Sequence, residues 1–541
     1  MLKKHLFLFI LILISFVALG DLFKPGLPLT HDGQDHVARI ANFYQNLSEG
    51  SIIPRWAGNL NWGYGHPILE FLYPLPSYFA SFFHFLGFTL VDSVKLVFGI
   101  SFILSGIAMY VFIKELLKDE KVAFLAALLY IIAPYRFVDL YVRGAIGEHV
   151  AFIFPPFIFY FLIKLSKRYS YWYAFGGSLS LAGLILSHNA ITLMFLPLIF
   201  VYIIYLIFQS SNRKYFIRSS FTLIFFGFGL SAFFWIPAFM EGKYTLRNIV
   251  TSGGEYVSSF VAWKDFFSSV WSYGGSTALS KQIGLMHWIG IFTSVIATYY
   301  LYIKKNKLWL VSLSSFIILI ASLFLMTSGS NPIWQSITIL QKFQFPWRFL
   351  SLTVFLSAFL GAIAFYVVSD KYKKILLLIL VVSLLIINKD YWHANGFLHK
   401  EESFYAGIYN GTTDTGESSP IWSVRFMEKR PTSKVKIIEG NAEIKEIARK
   451  ITMRKYTINA SERSRILENT LYFPGWNVLV DGKDVEVEFQ DQNHRGLITF
   501  YVDRGEHLVN IMYEETKVRK LSNVISLVSL LAVLGLFIFK L

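Results

Sequence analysis

A decapeptide near the N-terminus carries a high density of side chains that can bind charge or move protons. Residues 30–39 read Thr-His-Asp-Gly-Gln-Asp-His-Val-Ala-Arg and follow directly on the first apolar segment. They contain two carboxylates, two imidazoles and one guanidinium. Such groups, placed where a membrane helix reaches water, predict a site that handles a charged substrate. The rest of the chain is then expected to form the frame that positions them.

The composition indicates that this frame is a membrane protein. Hydrophobic residues make up 55% of the 541 residues and charged residues only 16%, which no ordinary soluble chain combines. Cysteine is absent, so disulfides, thiolate catalysis and cysteine-ligated metal sites are excluded. The net charge of +15 indicates an excess of lysine and arginine in cytoplasmic loops. We therefore expect the lipid bilayer, and no nucleic acid, as a partner.

The apolar segments predict about twelve transmembrane helices. They are expected near residues 6–19, 95–113, 122–135, 149–164, 172–187, 190–208, 219–238, 287–303, 308–326, 349–368, 373–388 and 522–540. Residues 71–90 are also apolar, but they contain two prolines, a histidine and a glycine. If this segment does not cross the membrane, the short lysine-rich loops all fall on one side, as the positive-inside rule requires. We therefore predict an interfacial or re-entrant segment there and a cytoplasmic N-terminus.

This topology places every polar cluster in one extracytoplasmic compartment. The predicted organisation is a transmembrane domain over residues 1–388, an extracytoplasmic β-rich domain over 389–520 and a final transmembrane helix over 521–541. Residues 21–93 are expected to form a large external loop with interfacial helices. Alternating apolar residues between 471 and 513 predict a small antiparallel β-sandwich. Residues 401–420 are expected to be an exposed loop.

A series of short motifs runs along this frame. They are Asp32-x-x-x-His36-x-x-Arg39, Gly50-x-x-x-Pro54-Arg55-Trp56, Gly63-Tyr-Gly-His-Pro67, Pro134-Tyr-Arg136, Tyr141-Val-Arg-Gly-Ala145 with Glu148, Leu186-Ser-His-Asn189 and Phe343-Gln-Phe-Pro-Trp-Arg-Phe349. With the order of spans and loops, they resemble the GT-C superfamily of integral-membrane glycosyltransferases. They also look like the subgroup labelled 6-pyruvoyl-tetrahydropterin-synthase-related membrane proteins, a historical label that implies no pterin chemistry. Tyr472-Phe-Pro-Gly-Trp476 and Asp481-Gly482 resemble the C-terminal domain of bacterial proteins that glycosylate lipoteichoic acid.

The resemblance implies a GT-C-like fold and an enzyme that moves a sugar from a polyprenyl-phosphate donor to an extracytoplasmic glycan, lipid or protein, with inversion in one displacement. An acceptor hydroxyl must lose its proton as it attacks, so a carboxylate is needed within hydrogen-bond reach. Asp32 is the candidate base. The departing phosphate stays charged and is best stabilised by a fixed guanidinium or a divalent ion. Arg348 is the first candidate for the phosphate and Arg143 the second.

Three further side chains are candidates for substrate contact. His36 and Arg39 lie at helical spacing from Asp32, so side-chain pairing on an interfacial helix is the simpler alternative. His188 lies in a tight turn between two spans, where a structural polar pair is the alternative. All three are retained as candidate ligands of the substrate.

A divalent cation, Mg²⁺ or Mn²⁺, is a candidate cofactor. Hard cations bind carboxylate oxygens, and Asp35, His36 and Glu148 are the candidate ligands. Members of the superfamily often carry two adjacent acidic residues, whereas here Asp32 is followed by Gly33 and the next acid is Asp35. The identity of the second carboxylate is therefore open.

Two functions of other classes are alternatives to an enzyme. A polytopic lipid or polysaccharide transporter also fits about twelve spans, although transporters favour ionisable residues and broken helices near the midplane. In this sequence the charged residues gather in the loops instead. A non-catalytic membrane protein whose β-domain binds envelope glycan is the second alternative.

Overall fold

The computed structural model describes residues 2–168, 170–251, 254–272 and 279–538. In chain order the helices are α1 (Leu2–Ala18), α2 (Gly33–Ser48), α3 (Ile68–Phe71), α4 (Leu75–Phe85), α5 (Leu90–Leu117), α6 (Glu120–Ile131), α7 (Pro134–Phe137), α8 (Ile146–Ala151), α9 (Phe154–Lys167), α10 (Tyr171–Ser187), α11 (Asn189–Gln209), α12 (Arg213–Leu230), α13 (Ala232–Met240), α14 (Arg247–Thr251), α15 (Trp263–Phe267), α16 (Leu285–Ile303), α17 (Leu308–Leu325), α18 (Asn331–Ser336), α19 (Thr338–Gln341), α20 (Leu350–Tyr366), α21 (Asp370–Asn388), α22 (Glu402–Ala406) and α23 (Lys517–Ile538). The strands are β1 (Leu27–Pro28), β2 (Phe397–Leu398), β3 (Val435–Glu439), β4 (Ala442–Lys450), β5 (Met453–Ala460), β6 (Ser464–Leu471), β7 (Trp476–Val480), β8 (Lys483–Val485), β9 (Leu497–Val502) and β10 (Gly505–Tyr513).

The chain is a multispanning membrane protein. Within the described ranges, seven helices are long and apolar enough to cross a bilayer, and two bent pairs raise the number to nine. The bent pairs are α6 with residues Pro134–Arg143, and α12 with α13, at angles of 47° and 67°. Three further predicted spans are not among these nine. α1 and α10 are too short, at 17 residues each, and α21 begins with four charged residues among its first five. The count of twelve and the sidedness stay predictions.

The segment between α1 and α5 contains α2, the helix that positions the decapeptide. The decapeptide ends in α2, which buries His36 and Arg39 on its inner face. α4 has eleven residues, about 16 Å at 1.5 Å per residue, and is too short to cross a hydrocarbon core of about 30 Å. Pro76 stands near its start, where a missing N–H is tolerated. This short helix agrees with the interfacial prediction for residues 71–90.

The β-rich domain consists of two antiparallel sheets. One has the strand order β4-β5-β10-β7-β8 and the other β3-β6-β9. Every residue of β6 is buried, and large apolar side chains such as Trp476 and Phe500 fill the interior. The predicted C-terminal β-region is confirmed, but β3 to β6 lie before the predicted strands, except for Leu471 at the end of β6. β4 is an edge strand with mostly exposed or half-exposed side chains, so its apolar signal is weak.

Residues 401–410 are mostly exposed, as predicted, but the prediction of an exposed loop is wrong for residues 411–420. Thr412, Thr413 and Ser419 are buried. The backbone carbonyl of Thr413 and its hydroxyl both accept hydrogen bonds from Arg39, and Asp414 lies 3.5 Å from the buried ring of His66. These contacts tie residues 411–416 to the segment that carries α2. The loop is therefore part of the frame around the decapeptide.

A buried cluster of charges fastens the last helix to the same segment. Arg55 lies 3.2 Å from Glu70 and 2.8 Å from Glu515. Arg519, at the start of α23, lies 3.4 Å from Glu70 and 2.6 Å from Glu241. Arg55, Glu70, Glu241 and Arg519 are each less than 5% exposed. Because buried charges are costly unless paired, each member of this charge cluster depends on the others.

Glu241→Gln is expected to lower the free energy of unfolding by about 3 kcal/mol, because it leaves the buried Arg519 guanidinium with one carboxylate instead of two. Titration with SDS in mixed micelles measures this change. Asp503→Asn is the matched control, since Asp503 is 87% exposed and lies 3.9 Å from Arg463. The control is expected to stay within about 0.5 kcal/mol of the wild type. Equal losses in the two variants would contradict a stabilising role for the charge cluster.

Candidate active site

The first turn of α2 is held against the segment that follows α7. The backbone N–H of His31 donates to the carbonyl of Val142 at 3.0 Å, and that of Asp32 donates to the carbonyl of Arg143 at 2.8 Å. Two consecutive backbone hydrogen bonds fix the position of one segment on the other. The structure therefore brings the predicted base and one of the predicted arginines into a single site.

Two glycines make this close approach possible. A Cβ on Gly33 would lie 2.5 Å from the hydroxyl of Thr30, and one on Gly144 would lie 2.4 Å from the same atom. Gly144 also has φ +68°, which side chains other than glycine rarely adopt. Position 33 therefore has no room for a second acid beside Asp32. The next carboxylate is Asp35, one helical turn further on.

The carboxylate of Asp32 is exposed and is not used by the fold. Asp32 is the N-cap residue of α2, but its side chain makes no capping hydrogen bond. Its charge lies within electrostatic reach of the Tyr73 hydroxyl, which lines the cleft described below. A carboxylate at this place can accept a proton from a bound hydroxyl.

His36 offers a neutral hydrogen-bond donor. Its Nδ1 accepts from Arg39 at 2.9 Å, because a guanidinium can only donate. The ring proton therefore sits on Nε2, which is buried and has no partner among the described residues. Burial, and then the positive charges of Arg39 and Arg143, hold the pKa of His36 well below its ordinary value. Arg39 itself is bound to Thr413, so it positions His36 and does not reach toward a ligand.

Arg143 lies in a buried network of acids. Its Nη1 is 2.6 Å from Asp139 and 2.7 Å from Glu148. The other oxygen of Glu148 accepts from the Tyr135 hydroxyl at 2.8 Å and also from Ser351. Because two carboxylates balance its charge, Arg143 is a weaker candidate for a phosphate than an arginine without such partners.

The predicted metal ligands do not form one site. Both oxygens of Glu148 are engaged as just described, and Asp35 Oδ1 accepts from the Tyr409 hydroxyl at 2.8 Å. The Nδ1 of His36 accepts from Arg39. Across the described part of the chain, no three histidines or acids are arranged to hold a metal. The ligand set of Asp35, His36 and Glu148 is therefore corrected, because the fold gives each residue a different partner.

A cleft of about 360 Å³ opens beside these residues. Its apolar wall includes Ile185, Leu193, Leu196, Phe234 and Phe239. Its polar end includes three basic residues, Arg247, Lys342 and Arg348, and one acid, Glu417, so its net charge is positive. An apolar trough with a cationic end fits a lipid that carries an anionic head group.

Arg348 is the basic residue of the cleft whose guanidinium is best placed to receive an anion. Its Nη1 donates to the carbonyl of Phe343 at 2.8 Å, while its Nε is buried without a hydrogen-bond partner. Its guanidinium lies 5.0 Å from the ring centre of Phe345. Unlike Arg143, it forms no ion pair with any residue that the structure describes.

His188 forms part of the cleft wall and also serves the fold. Its Nδ1 accepts from the backbone N–H of Ile191 at 3.3 Å and so caps α11. Its ring stacks on Tyr73 with 5.1 Å between ring centres. Tyr73 is packed in turn against Gly147, where a Cβ would lie 2.0 Å from the ring. The structural and the ligand-binding interpretations of His188 are therefore compatible.

The predicted candidates do not all line the cleft. His188 and Arg348 line it together with Tyr73, and the backbone of Asp32 is bound to that of Arg143. The charges of Asp32 and Arg143 lie within electrostatic reach of Tyr73. Arg39 pairs with His36 and Glu148 with Arg143, and Asp35 faces a different groove.

Three cleft residues are absent from the sequence prediction. Tyr73 follows α3. Its place in the predicted interfacial segment is the sequence feature that could have identified it. Arg247 and Lys342 are basic residues in loops that the topology predicts to be external. Arg247 is one of four basic residues in its loop, so no sequence signal singles it out.

The family model for the 6-pyruvoyl-tetrahydropterin synthase related domain, described as a membrane protein, matches residues 69–395. This is more than half of the 541 residues. An uncharacterized protein of Lactococcus lactis subsp. cremoris (strain MG1363) is 28% identical over 280 residues, which are 50% of this chain and 45% of that protein. The chain thus matches less than half the length of this relative.

Two solved structures are similar in fold. The oligosaccharyltransferase of Archaeoglobus fulgidus, in its apo form, has a TM-score of 0.50 and 14% identity over 77% of this chain and 61% of its own. Arabinofuranosyltransferase AftD from Mycobacteria has a TM-score of 0.43 and 14% identity over 72% of this chain and 27% of its own. The likeness to the first structure, with the helical membrane domain and the C-terminal sheets, confirms the predicted GT-C-like fold.

Proposed function

The chain belongs to the family of 6-pyruvoyl-tetrahydropterin synthase related membrane proteins, and on that premise we propose that it is a membrane glycosyltransferase. It takes a sugar from a polyprenyl-phosphate donor and transfers it to an acceptor outside the cytoplasm. The observation that carries the proposal is the cleft with a cationic end, whose residue Tyr73 lies within electrostatic reach of the exposed carboxylate of Asp32. The GT-C-like fold supports it.

The cleft is suited to a lipid-linked donor. Its apolar wall accommodates part of an isoprenoid chain, and Arg348, Arg247 and Lys342 supply positive charge for the phosphate. The bent pair α12 and α13 contributes Phe228, Phe234 and Trp235 to this wall. Phe228 and Trp235 also line an apolar groove that continues along α23. A long hydrocarbon chain can therefore extend from the cleft into the bilayer.

The proposed reaction is a single displacement at the anomeric carbon. The acceptor hydroxyl donates a hydrogen bond to Asp32 and attacks the face opposite the bond to the phosphate oxygen. As the new C–O bond forms, Asp32 takes the hydroxyl proton and the old C–O electron pair passes to the phosphate. Arg348 stabilises the departing phosphate, and the N–H groups of His36 and His188 are available to polar atoms nearby. The sugar is transferred with inversion.

The orientation is proposed from the charges at the far ends of the helices. Glu115 pairs with Lys118, Lys164 and Lys167 at 2.7, 3.2 and 2.9 Å. The span that begins at Ile146, next to the site, ends at Lys167 after 22 residues, about 33 Å away. Because lysine-rich ends stay in the cytoplasm, the cleft and the β-rich domain face the extracytoplasmic side.

The proposal is tested with purified protein in proteoliposomes. Radiolabelled polyprenyl-phosphate hexoses and N-acetylhexosamines are supplied one at a time, with isolated bacterial cell envelopes as the acceptor pool. We expect one donor to lose its label to non-lipid material while polyprenyl phosphate accumulates. The same sugars supplied as nucleotide sugars are the control and are expected to give no transfer. Transfer from the nucleotide sugars alone would contradict the proposal.

A further inference from the structure

A second groove opens beside Asp35, and the proposed reaction does not yet use it. It has a volume of about 720 Å³ and shares no lining residue with the donor cleft. Its walls include Asp35, Phe404, Tyr409, Asn410 and Arg430. Asp35 lies in the first turn of α2, three residues after Asp32, and the two carboxylates are within electrostatic reach of each other. The groove therefore begins next to the proposed base.

The backbone along one wall of this groove is already hydrogen-bonded. The N–H of Tyr409 donates to Asn59 at 2.8 Å, and its carbonyl accepts from Trp62 at 3.0 Å. The carbonyl of Gly411 accepts from Asn61 at 2.8 Å. An extended peptide binds by adding backbone hydrogen bonds to an open edge, and these backbone groups offer none. Ligand recognition at this wall is therefore left to side chains.

The side chains that remain suit hydroxyl groups. The Asp35 carboxylate accepts from the Tyr409 hydroxyl through Oδ1 at 2.8 Å, and a carboxylate has capacity for further donors. Asn410 can both donate and accept, and the exposed Arg430 guanidinium can donate. Phe404 is 40% exposed and presents an aromatic surface, on which the apolar face of a sugar ring can pack. Burial, together with the charges of Asp32 and Asp414, raises the pKa of Asp35.

We propose that this acceptor groove binds a polyhydroxyl acceptor, a glycan or a polyol, and directs one of its hydroxyls toward Asp32. Asp35 then acts as a positioning residue, since it orients the acceptor chain next to the carboxylate that takes the proton. This inference rests on the proposed function. It narrows the acceptor from glycan, lipid or protein to a chain of hydroxyl-bearing units.

Asn410→Trp tests the acceptor groove by filling it. Asn410 is exposed, so the larger side chain does not disturb the core. In proteoliposomes with labelled donor and cell envelopes, we expect transfer into protease-resistant, periodate-sensitive material to fall at least about tenfold. Binding of radiolabelled undecaprenyl phosphate is expected to stay within about twofold of the wild type, because the donor cleft is separate.

Two companion variants refine the test. Tyr409→Phe keeps the ring but removes the hydroxyl that donates to Asp35, so we expect a rise of about three- to tenfold in the acceptor KM with a smaller change in kcat. Glu443→Gln, an exposed residue of β4, is the matched control and is expected to transfer normally.

The possible outcomes separate the two proposals. A wild-type protein that transfers sugar from no lipid-linked donor would overturn the proposed function and this inference with it. An active wild type with an equally active Asn410→Trp variant, at an unchanged acceptor KM, would overturn only the acceptor groove. Label recovered in protease-sensitive material would overturn the assignment of a polyhydroxyl acceptor.

Discussion

Asp32→Asn is expected to lower sugar transfer by about 10² to 10⁴-fold, because the carboxamide keeps the shape of the side chain but cannot take the hydroxyl proton. This corresponds to about 3–5 kcal/mol in the activation free energy. The fold is expected to be unaffected, since the Asp32 side chain is exposed and caps no helix. Single-turnover transfer from the labelled donor measures the loss. Binding of undecaprenyl phosphate is the parallel readout and is expected to be retained.

Asp35, the second carboxylate of the decapeptide, is the most informative residue to compare with Asp32. Asp35→Asn is expected to raise the acceptor KM more than it lowers kcat, whereas Asp32→Asn is expected to lower kcat. Asp390→Asn, an exposed acid after α21, is the matched control and is expected to transfer normally. A larger loss of kcat in the Asp35 variant than in the Asp32 variant would show that the wrong carboxylate has been assigned as the base.

The convergence of Asp32, Arg143 and Arg348 could be predicted from the sequence for a simple physical reason. Each residue lies near the end of an apolar segment, on the side that the predicted topology places away from the lysine-rich loops. Residues that share one membrane surface in a bundle are restricted to a plane, and the polar ones gather where lipid is absent. Periodicity and the distribution of charge thus predict that these three residues lie near one another, but they predict neither the geometry of the site nor the cleft residues Tyr73, Arg247 and Lys342.

The partners of each side chain could not be predicted in the same way. Glu148 was expected at a metal, but its oxygens accept from Arg143 and Tyr135, a pairing that depends on the turn between α7 and α8. Residues 411–420 are mostly small and polar, which indicates exposure, yet Thr413 and Asp414 contact the buried side chains of Arg39 and His66. These two contacts join parts of the chain that lie hundreds of residues apart, and no local pattern records them.

The same limit explains the separation between the two acids of α2. From sequence, Asp32 and Asp35 are two nearby carboxylates that compete for one role. In the fold, a side chain at position 33 would meet the hydroxyl of Thr30, so no second acid stands beside Asp32, while Tyr409 holds Asp35 toward the acceptor groove. A distant tyrosine therefore gives the second carboxylate its separate environment. This is why we assign the two acids different tasks.

Arg348→Gln is expected to weaken binding of undecaprenyl phosphate by about 30- to 1,000-fold, a loss of about 2–4 kcal/mol. The half-buried guanidinium has an unpartnered Nε and lies at the cationic end of the cleft, so an anionic ligand gains most from this group. The glutamine keeps a donor near Phe343 but removes the charge. Binding of the radiolabelled lipid to the purified protein measures the effect.

Two other basic residues show whether this loss is specific. Lys342 is exposed, so Lys342→Gln is expected to cost only a few-fold in affinity, and the cost should shrink as salt is added. Arg143→Gln leaves Asp139 and Glu148 without their shared cation and is therefore expected to destabilise the protein more than it weakens lipid binding. If a folded Arg143→Gln variant lost lipid binding while Arg348→Gln kept it, the phosphate would sit at the acidic network instead. The acceptor hydroxyl held by Asp32 would then have to attack the anomeric carbon from the other side of the cleft.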